Sequence, residues 1–215
     1  VFIGFSSLLA MLAFQFEIVT NATPPPGITR AKDAPRIVQL PAPRLKEYLA
    51  DSAMWISPGS GDKEGGPTHP PKWVVQAVDA RGEWASIPPI EGVIESPVIR
   101  ADGSVVQTPG YDEASGLFYR PMIDFPPTPS KPSQDAARKA ADDLLEVVED
   151  FPFASSYHRG GWLSAVLTPL ARFAFHGPTT LHLIDSNTRG TGKGLLADTV
   201  GLIVQGRSTP RMTAP

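Results

Sequence analysis

The chain has 215 residues, of which 41% are apolar and 19% are charged, a composition typical of a protein that folds around a hydrophobic core. A net charge of −3 supplies no general attraction to nucleic acid, so any contact with DNA would need a local basic patch. The absence of cysteine excludes disulfides, cysteine-ligated zinc and thiol catalysis, and it agrees with the cytoplasmic location that we expect.

The first segment, residues 1–23, opens on an apolar run that ends at Glu17. This run is shorter than the roughly 18–20 residues that a membrane-spanning helix needs. A secretory signal would have a basic region before its apolar run, and this sequence has none there. We therefore expect no membrane contact and leave the segment unassigned, with a signal or membrane anchor as the alternative. The missing initiator Met, together with an end at Pro215 that has no closing signal, indicates a piece of a longer gene product.

Residues 24–120 are predicted to form a loop-rich α+β region. Its first prolines, Pro24–Pro26, break any element that begins earlier, because proline fixes φ and lacks an N–H donor. The pattern then predicts a strand over 37–40, a helix over 44–50 and a helix over 72–80. We expect the last of these helices to pack Trp73 into a core, where Trp84 joins it.

The second part of this region carries a β-sheet pattern. Asp102-Gly103 lies between two apolar runs, 93–100 and 104–107, and this dipeptide favours a β-hairpin. A further strand is predicted over 117–119, and together the three segments predict one small antiparallel sheet. The Gly-Tyr-Asp sequence at 110–112 is interpreted as a turn held by the Asp side chain, with contact to DNA or to a neighbouring protein as the alternative.

Residues 121–132 are rich in proline, which is typical of a semi-extended linker, and we place a domain boundary there. Residues 133–176 are predicted to be helical. Ser133 suits the N-cap of a helix that runs to Asp150, and a second helix is expected over 157–175.

The last region, residues 177–215, combines a strand pattern, a glycine-rich loop and a helix pattern. The mostly apolar run 181–185 predicts the strand, and residues 195–205 predict the helix. This order is the setting of a phosphate-binding P-loop. The candidate phosphate-binding residues are Asn187, Thr188, Arg189, Gly190, Thr191, Gly192, Lys193, Gly194 and Leu195.

The chemistry of such a loop follows from its residue types. Gly190 and Gly192 allow the backbone N–H groups to wrap around phosphate oxygens without a Cβ clash. Lys193 would place its ammonium group between the β- and γ-phosphates, and the N-terminus of the following helix adds partial positive charge. The alternative is a glycine-rich turn with a solvated lysine.

Two positions depart from the full P-loop pattern. Asn187 stands where the first glycine is expected, and Gly194 stands where Ser or Thr normally binds magnesium. Thr191 occupies a different position and does not replace that hydroxyl. We therefore expect ATP binding to survive while Mg²⁺ binding and hydrolysis weaken. No catalytic residue or metal ligand is assigned. Asp198 is interpreted as a surface helix residue, and Arg207 and Arg211 as possible partner or nucleic-acid contacts.

Several motifs in this order resemble phage- and plasmid-associated primase–helicase proteins. They are Pro-Gly-Tyr-Asp at 109–112, Asp-Phe-Pro-Phe at 150–153, Leu-Thr-Pro-Leu-Ala-Arg at 167–172 and the segment 185–196. The resemblance runs from about Ile37 to the C-terminus. It implies ATP binding with magnesium, DNA as a partner and a homo-oligomeric, hexameric ring, with Lys193 in the phosphate-binding role. No catalytic acid carries over from it.

The expected fold is an α+β N-terminal region with a small antiparallel sheet, followed by helices and the first strand–P-loop–helix unit of an α/β P-loop NTPase domain. The expected function is that of an ATP-binding, helicase- or primase-associated NTPase of DNA replication in mobile elements, cut before its ATPase core is complete and inactive alone. The alternatives are a non-enzymatic DNA- or partner-binding module with a degenerate P-loop, and an unrelated protein tethered to a membrane by residues 1–16.

Overall fold

The computed structural model describes residues 16–20, 23–59, 61, 64–82 and 88–212. The apolar start of the chain, residues 1–15, and Trp84 lie outside these ranges, so the expectations made for them stay predictions. The strands are β1 (Phe16–Val19), β2 (Ile28–Thr29), β3 (Arg36–Gln39), β4 (Ile56–Ser57), β5 (Gly66–Pro67), β6 (Gly92–Ile94), β7 (Val98–Ile99), β8 (Val105–Val106), β9 (Gly110–Asp112), β10 (Leu117–Tyr119) and β11 (Arg211–Met212). The α-helices are α1 (Ala42–Ser52), α2 (Lys72–Arg81), α3 (Gln134–Glu146), α4 (Ser156–Leu170) and α5 (Lys193–Gln205).

The chain divides into two compact units, and both mix helices with small sheets. The first unit comprises Val1–Ala22 and Asp33–Gly92, and the second comprises Thr23–Lys32 and Val93–Pro215. The proline-rich segment 121–132 lies inside the second unit and has no regular secondary structure. In the described part of the chain, no helix is both long enough and apolar enough to cross a membrane.

The first unit packs α1 and α2 together around a small apolar core, formed by Leu40, Leu45, Leu49 and Val75. Strands β1 and β3 pair antiparallel, as do β4 and β5. The indole of Trp55 donates a hydrogen bond to the Leu49 carbonyl at 2.8 Å. The expected core role of Trp73 is wrong, because this side chain is 70% exposed while Val75, two positions later on α2, is 5% exposed.

The β-rich part of the second unit contains two sheets where the sequence predicted one. Strands β6, β10 and β9 form a three-stranded sheet in that order, and β7 pairs with β8 as a separate hairpin. The chain bends at Glu95 and Ser96 before Pro97, which has no N–H for a ladder, and β7 therefore starts a new sheet. The predicted Asp-Gly turn of the hairpin is confirmed, with Gly103 at a φ of 82°.

Gly110–Asp112 forms strand β9 instead of the predicted turn, and the Asp112 side chain holds the turn that follows it. Its carboxylate accepts hydrogen bonds from the Ser115 N–H at 3.1 Å and from the Ser115 hydroxyl at 2.5 Å. The Arg100 guanidinium donates to both carboxylate oxygens, at 3.0 and 2.6 Å. These contacts, led by Arg100, lower the pKa of Asp112 from 3.8 to about 2.

This pKa shift predicts a loss of stability in acid. A carboxyl group with a depressed folded-state pKa stabilises the fold above its unfolded value, and this contribution is lost as the pH falls through the folded value. We expect the free energy of unfolding to drop by about 2 kcal/mol from this group as the pH falls from about 4 to below 2. Urea unfolding at a series of pH values measures this free energy. In Asp112→Asn, the part of its pH dependence that comes from Asp112 should be absent. Equal slopes in both proteins would contradict the prediction.

The helical part of the second unit is built on α3, α4 and α5. The Ser133 hydroxyl caps α3 by accepting from the Ala136 N–H at 3.1 Å, as predicted. Helix α4 ends at Leu170, directly after Pro169, and a short 3-10 turn, Arg172–Ala174, follows. The buried core consists of Val148, Trp162, Val166, Leu196 and Val204. This core places the start of α5, and with it the glycine-rich loop, on the surface of the second unit.

Candidate functional site

The glycine-rich loop leads directly into α5, whose first residue is Lys193. Gly190 and Gly192 both adopt left-handed backbone conformations, with φ of 78° and 83°. A residue with a Cβ is strained in this region, so the loop needs glycine at both positions. Gly192 is the N-cap of α5 and supplies no side-chain cap. The first N–H groups of the helix therefore have no capping side chain within the described residues.

Three hydroxyl-bearing residues close the loop on itself. The Ser186 hydroxyl donates to the Thr188 carbonyl at 2.9 Å. The Ser186 and Thr191 hydroxyls lie 2.7 Å apart. Because a hydroxyl has only one proton, Thr191 donates in this second contact. The two ends of the loop are thus bridged, and the hydroxyl proton of Thr191 is engaged inside the loop.

The aromatic side chain of Phe151 supports the loop from the side of the core. A Cβ built on Gly192 would lie 3.3 Å from the Phe151 ring, closer than most side-chain contacts allow. Phe151 in turn packs against Phe153, with ring centroids 4.9 Å apart, and against the helical core. Gly192 is therefore required both for its backbone conformation and for the close approach of this ring.

The candidate residues identified from the sequence form one continuous surface loop. Asn187, Thr188, Arg189 and Gly190 are exposed, and Thr191, Gly192 and Lys193 are partly buried. Leu195 lies on α5 with 66% of its surface exposed. No ion pair or hydrogen bond of the Lys193 ammonium group is found among the described residues, so this cation is available at the start of the helix.

The predicted strand before the loop is not formed. Residues 181–185 have no regular secondary structure and make no backbone hydrogen bond to another strand within the described ranges. They keep the alternating exposure of a strand, since Leu181 and Leu183 are 93% and 86% exposed while His182 and Ile184 are partly buried. A strand needs a paired neighbour for its main-chain groups, and no described segment supplies one beside this run.

Arg211 lies at the start of α5, where the sequence had placed no side chain. A Cβ built on Gly194 would be 3.7 and 4.0 Å from the two terminal nitrogens of Arg211. The same guanidinium forms an ion pair with Asp198, one helical turn after Gly194. The Asp198 side chain is 19% exposed, so it is a partly buried position on the helix surface. Gly194, Asp198 and Gly201 share one face of α5, and this spacing in the sequence indicates that another segment of the chain packs there.

Arg207 is separate from the loop. Its side chain is 8% exposed and forms an ion pair with Glu95, which is 9% exposed. A buried, paired guanidinium is a structural contact, so the expectation that Arg207 contacts nucleic acid is wrong.

The residues around the loop suit a polyphosphate, and the hydroxyl that normally binds magnesium is missing at Gly194. Magnesium needs oxygen ligands. Gly194 has no side chain and Asp198 pairs with Arg211, whereas the exposed Asp185 carboxylate lies directly before the loop. Across the described ranges, no group of three or more His, Asp or Glu residues could hold a metal ion. The glycine conformations, the uncapped helix start and Lys193 are all suited to phosphate oxygens.

Comparisons of the chain with protein-family models, curated proteins and solved structures give no match. The assignment of a function therefore depends on the geometry of the loop and on the order of motifs in the sequence.

Proposed function

We propose that this protein binds a nucleoside triphosphate, ATP in the first instance, through its glycine-rich loop. The observation that carries the proposal is the arrangement of Gly190 and Gly192 in left-handed conformations directly before Lys193, the first residue of α5. Loop glycines, an uncapped helix N-terminus and a lysine at its first position together make a site for phosphate groups.

Each part of the loop has a distinct role in this binding. The N–H groups of Lys193, Gly194 and Leu195 belong to the first turn of α5 and have no partner within the helix, so they can donate to phosphate oxygens. The Lys193 ammonium adds a full positive charge and charge-assisted hydrogen bonds. Phe151 and the Ser186–Thr191 bridge hold the loop in place.

The wider biological role that we propose follows from the resemblance of the sequence motifs. It is a helicase- or primase-associated role in DNA replication of phages or plasmids, with DNA as partner, a homo-oligomer as the assembled form and the cytoplasm as location. Hydrolysis is not proposed for this chain alone, because Gly194 stands where Ser or Thr normally binds magnesium.

A second candidate function is a non-enzymatic module that binds DNA or a protein partner. The unpaired run 181–185 favours it, because a working P-loop sheet would pair this segment with neighbouring strands. Binding of fluorescent DNA to the chain that is unchanged by Lys193→Ala, together with no nucleotide binding, would support this alternative.

Substitution of Lys193 by alanine tests the proposed nucleotide binding. We expect the dissociation constant for a fluorescent ATP analogue to rise by about 10- to 100-fold, because one charge-assisted hydrogen bond contributes about 1.5–3 kcal/mol. Lys139→Ala is the matched control, since Lys139 lies on α3, is 76% exposed and pairs with Asp143. Equilibrium fluorescence titration measures both variants. Equal affinity of Lys193→Ala and the unchanged chain would refute the phosphate-binding role.

A further inference from the structure

The position where a P-loop normally carries its magnesium ligand is faced by a guanidinium group in this protein. Gly194 is the second residue of α5, and its missing side chain leaves open the space beside it. The two terminal nitrogens of Arg211 lie 3.7 and 4.0 Å from the point where a Cβ of residue 194 would be. A positive charge on a side chain therefore lies where the usual pattern would place a hydroxyl and a metal ion.

The segment after α5 brings Arg211 to this position. At Gly201 the returning chain lies so close that a Cβ would be 2.8 Å from the Thr209 backbone nitrogen. Strand β11 then pairs antiparallel with β2, with Arg211 opposite Thr29. Gly194, Asp198 and Gly201 share one face of the helix, since residues separated by three, four or seven positions are neighbours on a helix surface. The returning chain runs along this face toward the N-terminus of α5.

Asp198 fixes the guanidinium above the first turn of the helix. The ion pair joins one terminal nitrogen of Arg211 to one carboxylate oxygen of Asp198. The Arg211 side chain is 60% exposed, so part of its donor set faces solvent. An arginine has five N–H donors in a planar fork, and a single ion pair leaves some of them for a second anion.

The N–H donors and cations at this end of the helix suit phosphate oxygens. Lys193 and Arg211 each carry a full positive charge, and the helix N-terminus contributes roughly half a charge more. A guanidinium binds phosphate oxygens through two parallel hydrogen bonds, which also orients the phosphate. An ordinary P-loop also has the lysine and the helix N-terminus, and Asp198 balances the Arg211 charge, so Arg211 contributes directed N–H donors and little added net charge.

We propose that Arg211 takes the place of magnesium at this loop, so that the protein binds a nucleoside di- or triphosphate in its metal-free form. This inference depends on the proposed nucleotide binding at Lys193. Asp198 is a positioning residue that holds Arg211 above Gly194, and Arg211 is the residue that contacts the phosphate.

The test compares two substitutions that break the same ion pair. Arg211→Gln removes the cation, whereas Asp198→Asn leaves it in place. A fluorescent ATP analogue is titrated into each protein with excess magnesium and with EDTA. For the unchanged chain we expect the affinities with magnesium and with EDTA to agree within about threefold. In EDTA, Arg211→Gln should bind the analogue about tenfold more weakly than the unchanged chain, because one charge-assisted contact is lost. Asp198→Asn should weaken binding by no more than about threefold.

The outcomes separate this inference from the proposed function. Equal losses in Arg211→Gln and Asp198→Asn would show that the ion pair only holds the segment in place, and would overturn the inference. Two other results would overturn the inference if Lys193→Ala still loses binding. One is an unchanged affinity of Arg211→Gln for the ATP analogue. The other is an affinity of the unchanged chain that rises tenfold with magnesium. Insensitivity to Lys193→Ala would instead overturn the proposed function, and this inference with it. Arg138→Gln is the charge-matched control, because Arg138 is 65% exposed on α3.

Discussion

Replacement of Gly201 by alanine is expected to lower the free energy of unfolding by about 2–3 kcal/mol, because the added methyl group has no space. Its Cβ would lie 2.8 Å from the Arg207 carbonyl oxygen and 2.8 Å from the Thr209 backbone nitrogen. Both atoms belong to the main chain, so a side-chain rotation cannot relieve the contact. The returning segment would have to move away from α5. Urea unfolding followed by far-ultraviolet circular dichroism measures the change.

Gly161 provides a control with the opposite expected sign. It lies inside α4, and a Cβ built there meets nothing within 4 Å. Gly161→Ala should raise the free energy of unfolding by up to about 1 kcal/mol, because alanine favours a helix over glycine. Equal stabilities of Gly201→Ala and the unchanged chain would mean that the segment after α5 does not pack on this helix.

Replacement of Trp162 by alanine is expected to have the largest effect on stability, a loss of about 3–5 kcal/mol. This side chain is 4% exposed and lies in the core between α4 and α5. Its indole N–H donates to the Thr199 hydroxyl at 3.1 Å, and that hydroxyl donates to the Leu196 carbonyl at 2.7 Å. The substitution removes the aromatic volume and leaves a polar group on α5 without its donor.

Trp73→Ala is the matched control for the same chemical change at the surface. Trp73 is 70% exposed, so its removal should change the free energy of unfolding by less than about 0.5 kcal/mol. The comparison is made by urea unfolding of both variants under the same conditions. A larger loss in Trp73→Ala than in Trp162→Ala would contradict the burial described for these two residues.

Local signals in the sequence predicted the helices and turns of this protein well. The N-cap at Ser133, the Asp-Gly hairpin turn and the turn held by Asp112 each depend on residues within a few positions of one another. Such contacts are determined by backbone conformation and short side chains, which a sequence pattern reports directly. The placement of Trp73 failed for the opposite reason. Helical spacing identifies an apolar stripe but not which of its members faces the core.

The candidate site was predicted only in part. The sequence predicted Gly190, Gly192 and Lys193 because the P-loop pattern is a short run of neighbouring residues. Arg211 could not be predicted in this way, because its approach to Gly194 depends on the path of the chain after α5 and on the close contact at Gly201. The strand expected over 181–185 depends on a partner segment, and pairing between distant segments is not visible in a single sequence.

The hydroxyl bridge between Ser186 and Thr191 affects the thermodynamics of binding at the loop. A flexible glycine-rich segment loses conformational entropy when it is ordered, at roughly 1–2 kcal/mol for each residue fixed. Here the bridge joins the two ends of the segment, and the ring of Phe151 lies against Gly192. For the anion binding that we propose, a loop closed in this way is preorganised, so that most of the free energy of the new hydrogen bonds would contribute to affinity instead of to ordering the chain.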